Sequence, residues 1–236
     1  MKTIGLIGGM SWQSSIEYYR MINETIRGIL GGFHSAKSIM YSVDFAEIEV
    51  LQHQKRWNEA ADLMIDAAKK IEKGGADFVV ICTNTMHKLA DPVKDHIQIP
   101  LLHIADVTGR EIIDRGIKTI GLLGTAFTME EDFYKERLSR KYGLEVMIPS
   151  REDREIVDHV IYHELCRGEV KPISKTRFGG IIKGLADKGA GGVILGCTEI
   201  GLLIHQQDSC LPLFDTTGIH AVAAAEFALG LRPIID

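Results

Sequence analysis

The sequence predicts an α/β protein of two pseudo-symmetric, Rossmann-like lobes, each a mostly parallel sheet flanked by helices. Three observations carry that expectation. Short aliphatic runs alternate with longer segments of helical periodicity. Thr3-Ile4-Gly5-Leu6-Ile7-Gly8 returns as Thr119-Ile120-Gly121-Leu122-Leu123-Gly124, 116 residues later (119 − 3). Val79-Val80-Ile81-Cys82-Thr83-Asn84-Thr85 is matched by Val193-Ile194-Leu195-Gly196-Cys197-Thr198-Glu199, with the cysteines 115 apart (197 − 82). Near-equal offsets point to an internal duplication. They divide the chain into lobes at 1–117 and 118–236, with the last helix free to pack back on the first lobe.

The elements follow in order. Residues 3–8 read as a strand, and Gly8-Gly9 turns the chain into a helix containing Tyr18-Tyr19. A strand fits 38–43. Over 59–73, Ala60, Leu63, Met64, Ala67, Ala68 and Ile71 keep helical spacing, and Lys73-Gly74 supplies a basic last turn and a terminating glycine. Strands fit 78–82 and 100–104. In the second half strands fit 119–124, 144–148, 193–197 and 212–214, and helices fit 129–142, 152–166, 174–188 and 218–229. Residues 231–236 read as a short tail.

Composition narrows the function. The chain has 236 residues, 45% hydrophobic and 25% charged, the balance of a globular protein. Its net charge is −5 and it has no dense Lys/Arg cluster, which argues against a nucleic-acid partner. No apolar run approaches the ~20 residues of a membrane helix. Met1-Lys2-Thr3 leads into a strand with no secretory h-region, so a cytoplasmic location is expected. Cys82, Cys166, Cys197 and Cys210 are then expected as reduced thiols, and without a C-x-x-C pair neither a zinc ribbon nor a thioredoxin-like site is indicated.

Cys82 and Cys197 end their strands at the sheet edge where open α/β folds place ligand chemistry. Either alone reads as a small buried hydrophobe. As a pair facing one substrate, a thiolate removes a proton from one face of a carbon and a thiol returns one to the other, inverting the centre without metal or pyridoxal phosphate. Thr83, Asn84, Thr85 and Thr198 are the neighbouring groups suited to a substrate carboxylate, although the first three also suit helix capping. The turns through Met10-Ser11 and Gly124-Thr125 offer backbone amides for the same purpose. Gly5-x-x-Gly8-Gly9 lacks the dinucleotide fingerprint. His87 is read as orienting Cys82, as a cap or as an exposed side chain, and His103 as a core histidine. Glu199 is read as a surface charge at the start of a helix. His159 and His163 lie at i, i+4 without a third ligand, so a solvated face is expected there.

Gly8-Gly9-Met10, Cys82-Thr83-Asn84-Thr85 and Gly196-Cys197-Thr198-Glu199 together resemble the aspartate/glutamate racemase family. Ser42-Val43-Asp44-Phe45 and His103-Ile104-Ala105-Asp106 extend the likeness over nearly the whole chain, nearest to its broad-specificity bacterial branch. The resemblance implies no cofactor, Cys82 and Cys197 as the two bases, an amino-acid substrate and a homodimer. Aspartate-selective members carry an arginine after the second strand and a lysine ahead of a glycine in the second lobe. Here Ser42–Glu49 has no arginine, and Cys166 takes the lysine position in Leu165-Cys166-Arg167-Gly168. Arg167 would act from a neighbouring position, and Gln52 is the nearest polar group in the first region. A neutral amide or thiol holds a carboxylate less firmly than a guanidinium, so relaxed specificity is expected. A hydantoin racemase or a maleate isomerase is the sibling alternative, whereas Cys82 argues against an arylmalonate decarboxylase. A non-catalytic carboxylate-binding protein is a further alternative. A redox sensor would need the two cysteines within ~7 Å, Cα to Cα.

Overall fold

Two parallel four-stranded sheets carry the fold, and their strand orders are the same: β2-β1-β3-β4 in one, β6-β5-β7-β8 in the other. The structure is a computed structural model describing residues 1–234; the last two residues of the expected tail lie outside the described residues. The first sheet and its helices run β1 (Ile4–Gly8), α1 (Trp12–Leu30), β2 (Ser38–Ser42), α2 (Phe45–His53), α3 (Trp57–Lys73), β3 (Phe78–Ile81), α4 (Ala90–Lys94) and β4 (Leu101–Leu102). Then come α5 (Ile104–Asp114), β5 (Thr119–Gly124), α6 (Ala126–Glu130), α7 (Asp132–Tyr142), β6 (Glu145–Met147) and α8 (Arg151–His163). The chain ends with α9 (Pro172–Asp187), β7 (Val193–Gly196), α10 (Ile200–Leu203), β8 (Leu213–Asp215) and α11 (Thr216–Ala228). It divides into two compact units, Met1–Ile104 with the chain from His220 on, and Ala105–Ile219.

The repeated sequence has a packing reason. Every residue of β1, β3 and β7 is buried, as expected for inner strands covered on both faces, while edge strand β2 alternates. Gly5 and Gly121 hold the same place in the two copies. A Cβ on Gly5 would stand 2.2 Å from the Ile71 side chain of α3, and one on Gly121 2.9 Å from Leu185 of α9. Each glycine lets a covering helix lie close against its strand. Of the stripe expected on α3, Ala60, Met64, Ala67, Ala68 and Ile71 are fully buried, whereas Leu63, on the stripe's edge, is exposed.

Two expected helices are broken. Instead of one helix over 129–142, α6 and α7 meet at an extended Glu131 (φ −78°, ψ 157°). Met129 is buried, and so are Tyr134 and Leu138. A five-residue step would put Met129 and Tyr134 on different faces of one helix at ~3.6 residues per turn, so the break brings both inward. The helix expected over 152–166 ends at His163, and Leu165–Arg167 form a separate 3-10 turn closed by Gly168 in the left-handed region.

Candidate active site

In the first unit the candidate residues gather at the C-terminal ends of β1 and β3. Cys82 is the first residue beyond β3; its amide donates to Ile7 O of β1 at 3.0 Å, and it is 1% exposed. Among the described residues its sulfur's hydrogen-bond contact is Val80 O at 4.0 Å, too long for a strong bond. Burial alone pushes this thiol well up. Thr83 is partly exposed, and Asn84 and Thr85 are buried at the start of a 3-10 turn over Thr85–Leu89. Beside them, the β1–α1 turn is built for close approach. Gly9 has φ +94°, and a Cβ there would meet Val43 O at 2.1 Å. Its N–H donates to Ser15 Oγ, and Ser11 caps α1 by accepting from the Ser14 N–H at 3.4 Å. Met10 and Ser11 are both buried at this turn.

His87 fixes the loop that carries Cys82. Its Nδ1–H donates to Thr83 O at 2.7 Å, and its Nε2 accepts from the Ile104 N–H at 3.1 Å. That pattern belongs to the neutral imidazole with its proton on Nδ1. Its ring lies 4.6 Å from that of buried His103 and 5.6 Å from that of His220. His220 donates from Nε2 to Leu102 O and accepts at Nδ1 from the Tyr18 hydroxyl, each at 2.9 Å. Burial lowers its pKa to about 4. Gln52 lies on α2, buried, with its amide donating to Met86 Sδ at 2.9 Å, which brings α2 against the turn that follows Cys82.

The second unit repeats the scaffold with different neighbours. Cys197 is the first residue beyond β7, and Thr125 the first beyond β5, where Gly124 pairs with Gly196. Thr125 caps α6 by accepting from the Thr128 N–H, as Ser11 caps α1. The adjacent Ala126 N–H is already taken by Asp158 Oδ1 at 2.7 Å. Glu199 is not the surface charge expected of it. It is 4% exposed, and its Oε2 accepts from the Cys197 thiol at 2.9 Å and from the Thr198 hydroxyl at 2.6 Å. Burial, then the Glu199 carboxylate, raises the Cys197 thiol well above its usual range. Partly exposed Cys166 is pushed up to about 12 by burial, then by Glu199 and Asp158.

Cys166, Cys197 and Thr198 therefore share one anionic centre, Glu199, while Thr125 is bonded to Thr128 and Arg167 is exposed to solvent. His159 and His163 are exposed, with rings stacked at 4.3 Å. Cys210 is exposed, and all four cysteines are free. Among the described residues no group of three His, Cys, Asp or Glu side chains is placed to hold a metal ion, and no helix is long and apolar enough to cross a membrane. Sequence reasoning missed the roles of Glu199 and Asp158. The adjacency of Cys, Thr and Glu in 197–199 was the available signal for the first; nothing local marked the second.

The model of the Asp/Glu/hydantoin racemase family matches residues 7–224. The chain belongs to that family. It is 53% identical to a candidate Asp/Glu racemase from Yersinia pestis whose structure it matches with a TM-score of 0.91, over 97% of this chain and 100% of that one. An aspartate racemase homologue from Pyrococcus horikoshii OT3 is 36% identical, with a TM-score of 0.84 and the same coverage, 97% and 100%. The broad specificity amino-acid racemase RacX of Bacillus subtilis (strain 168) is 26% identical over 140 residues. That match spans 57% of this chain and only 60% of RacX, about three fifths of the curated relative's length.

Proposed function

We propose that the protein is a cofactor-independent amino-acid racemase of relaxed specificity, using Cys82 and Cys197 as a two-base pair. The observation that carries the reading is the equivalence of the two thiols. Each is a buried free cysteine, one residue past the third strand in chain order of its sheet, followed by a threonine, in sheets of identical strand order. In the proposed reaction a thiolate takes the α-proton, forming an S–H bond as the Cα–H bond breaks. The electron pair left on Cα is delocalised into the substrate carboxylate. The other thiol then gives its proton to the opposite face and becomes the thiolate. Nothing is oxidised or reduced, and the exchanged roles run the reverse reaction. Backbone amides and hydroxyls at Met10, Ser11, Thr83, Asn84, Thr85, Thr125 and Thr198 are the candidates for holding the carboxylate as charge builds.

Charge supports relaxed specificity. The groups acting on Cys166 are Glu199 and Asp158, both acidic. A substrate side chain bearing a carboxylate would be repelled there, whereas a neutral or basic one would not. In the first unit Gln52, a neutral amide that donates one N–H to Met86 Sδ, stands in a region where Ser42–Glu49 contains no arginine.

The test is proton NMR of a panel of L-amino acids in D₂O, without added cofactor, for the wild type, Cys82→Ser and Cys197→Ser. Loss of the α-proton signal with appearance of the D-enantiomer, abolished by either substitution, is the expected result. Racemisation that survives the loss of either thiol sinks the two-base mechanism, and strict preference for aspartate sinks the specificity. No exchange with any amino acid sinks the racemase reading altogether.

A further inference from the structure

The duplicated thiols are not chemically equivalent, and the difference lies in one side chain. Cys197 donates at 2.9 Å to the carboxylate of Glu199, which also accepts from Thr198 at 2.6 Å and is 4% exposed. Among the described residues no acidic neighbour acts on Cys82, whose sulfur has its hydrogen-bond contact with Val80 O at 4.0 Å. The nearby His87 has its two ring nitrogens committed to Thr83 O and the Ile104 N–H, so it brings no charge to that loop. We propose that Glu199 is a positioning residue whose buried carboxylate keeps the proton on Cys197, so that in the resting protein Cys197 is the acid and Cys82 is the base.

The physics follows from charge. To ionise Cys197 while Glu199 is a carboxylate places two anions within hydrogen-bond distance in a buried setting. The hydrogen bond to the carboxylate exists only while sulfur keeps its proton. Thr198 completes the arrangement, because its hydroxyl holds the same carboxylate oxygen in place and stabilises its charge. Around this centre Asp158 together with Glu199 keeps Cys166 a neutral thiol, and the Glu199 backbone N–H, which bonds the Cys197 sulfur, acts against the carboxylate as the smallest of the influences on Cys197. Ionisation of Cys82 costs desolvation alone, a cost that a bound substrate ammonium would offset.

The proposal rests on the two-base reading for its catalytic meaning, but its first test does not. The full-length protein is alkylated with iodoacetamide to low conversion across a pH series, and each cysteine is quantified by peptide mass spectrometry. The pH midpoint, not the rate, is compared, because access scales the rate without moving the midpoint. In the wild type the Cys197 midpoint is expected above that of Cys82. Glu199→Gln keeps the size and removes the charge; the Cys197 midpoint should fall by about one pH unit or more while that of Cys82 stays fixed. Glu199→Asp restores the charge and should restore the wild-type midpoint. The second readout is the pH profile of kcat/KM for racemisation. Its alkaline limb reports loss of the last shared proton, so in Glu199→Gln it should move down with the Cys197 midpoint. A Cys197 midpoint at or below that of Cys82 in the wild type, or one unchanged by Glu199→Gln, overturns the proposal. Absence of racemisation in the wild type overturns the reading it rests on, and the alkylation series still decides whether Glu199 holds the proton.

Discussion

His220 offers a pH test with a sign and a size. It is fully buried, donates to Leu102 O, and accepts from Tyr18, so its bonds belong to the neutral ring. Its pKa is lowered from 6.5 to about 4. The unfolded chain therefore binds a proton at a higher pH than the folded one. The stability contributed by the neutral ring is complete above about pH 6.5 and is lost as pH falls toward about 4. The full span is about 2.5 units at ~1.4 kcal/mol each, or about 3 kcal/mol, of which about 2 kcal/mol disappears between about pH 7 and 5.

The perturbation is His220→Gln, which keeps a donor for Leu102 O and cannot titrate. Both tryptophans, Trp12 and Trp57, lie in the first unit with His220, so tryptophan fluorescence during urea unfolding reports on that unit. The variant is expected to be less stable at neutral pH but to lose about 2 kcal/mol less than the wild type between about pH 7 and 5. Carboxylates titrate in both proteins and cancel in the difference. Tyr18→Phe separates bonding from titration: it should cost about 1–3 kcal/mol by leaving Nδ1 without a donor. Equal pH slopes in wild type and His220→Gln would refute the reasoning.

Four further outcomes are expected. Gly9→Ala should lower first-unit stability by at least about 2 kcal/mol, read as a drop in the urea midpoint, because the new Cβ meets Val43 O at 2.1 Å in a left-handed backbone. Asp106 is 1% exposed and holds Arg137 through two 2.7 Å bonds and Lys141 at 3.0 Å, so Asp106→Asn should cost about 3–5 kcal/mol in the second unit. By contrast, Arg20→Ala removes only exposed pairs with Glu17 and Glu24 and should stay within about 0.5 kcal/mol; thermal melts followed by circular dichroism compare the two. Cys166→Lys puts a cation beside Glu199 and Asp158, and steady-state assays should find kcat/KM for aspartate rising at least ~10-fold relative to alanine.

The sheets were legible because buried parallel strands leave an unbroken apolar signature and because Gly5 and Gly121 must be glycine for α3 and α9 to lie close. The cysteines were legible for the same reason: they interrupt that signature at the same place twice. What stayed hidden depended on partners distant in sequence or on direction. The 129–142 segment has continuous helical propensity, and only the burial of Met129 against that of Tyr134 and Leu138 forces the break at Glu131. Glu199 looked like an ordinary charge at a helix start, but α10 is only four residues long, and the carboxylate turns back to two donors immediately before it in sequence. Asp158 reaches the Ala126 amide across 32 positions, a distance over which no local pattern speaks.

Duplication followed by divergence has a kinetic consequence. The two enantiomers of an amino acid have the same free energy in water, so kcat/KM must be equal in the two directions whatever the enzyme does to its thiols. The contrast between Cys82, on which no charged group acts among the described residues, and Cys197, with Glu199 and Cys166 about it, cannot appear in that ratio. It can appear only in kcat and KM taken separately, as a difference in which form of the enzyme waits for substrate. If Cys197 holds the resting proton, the enantiomer whose α-proton meets Cys82 finds the protein ready and saturates it at lower concentration. The other enantiomer must first draw the proton across, so it has the higher KM and, by the same factor, the higher kcat. Removing the Glu199 charge should bring the two pairs of constants together while their ratio stays fixed.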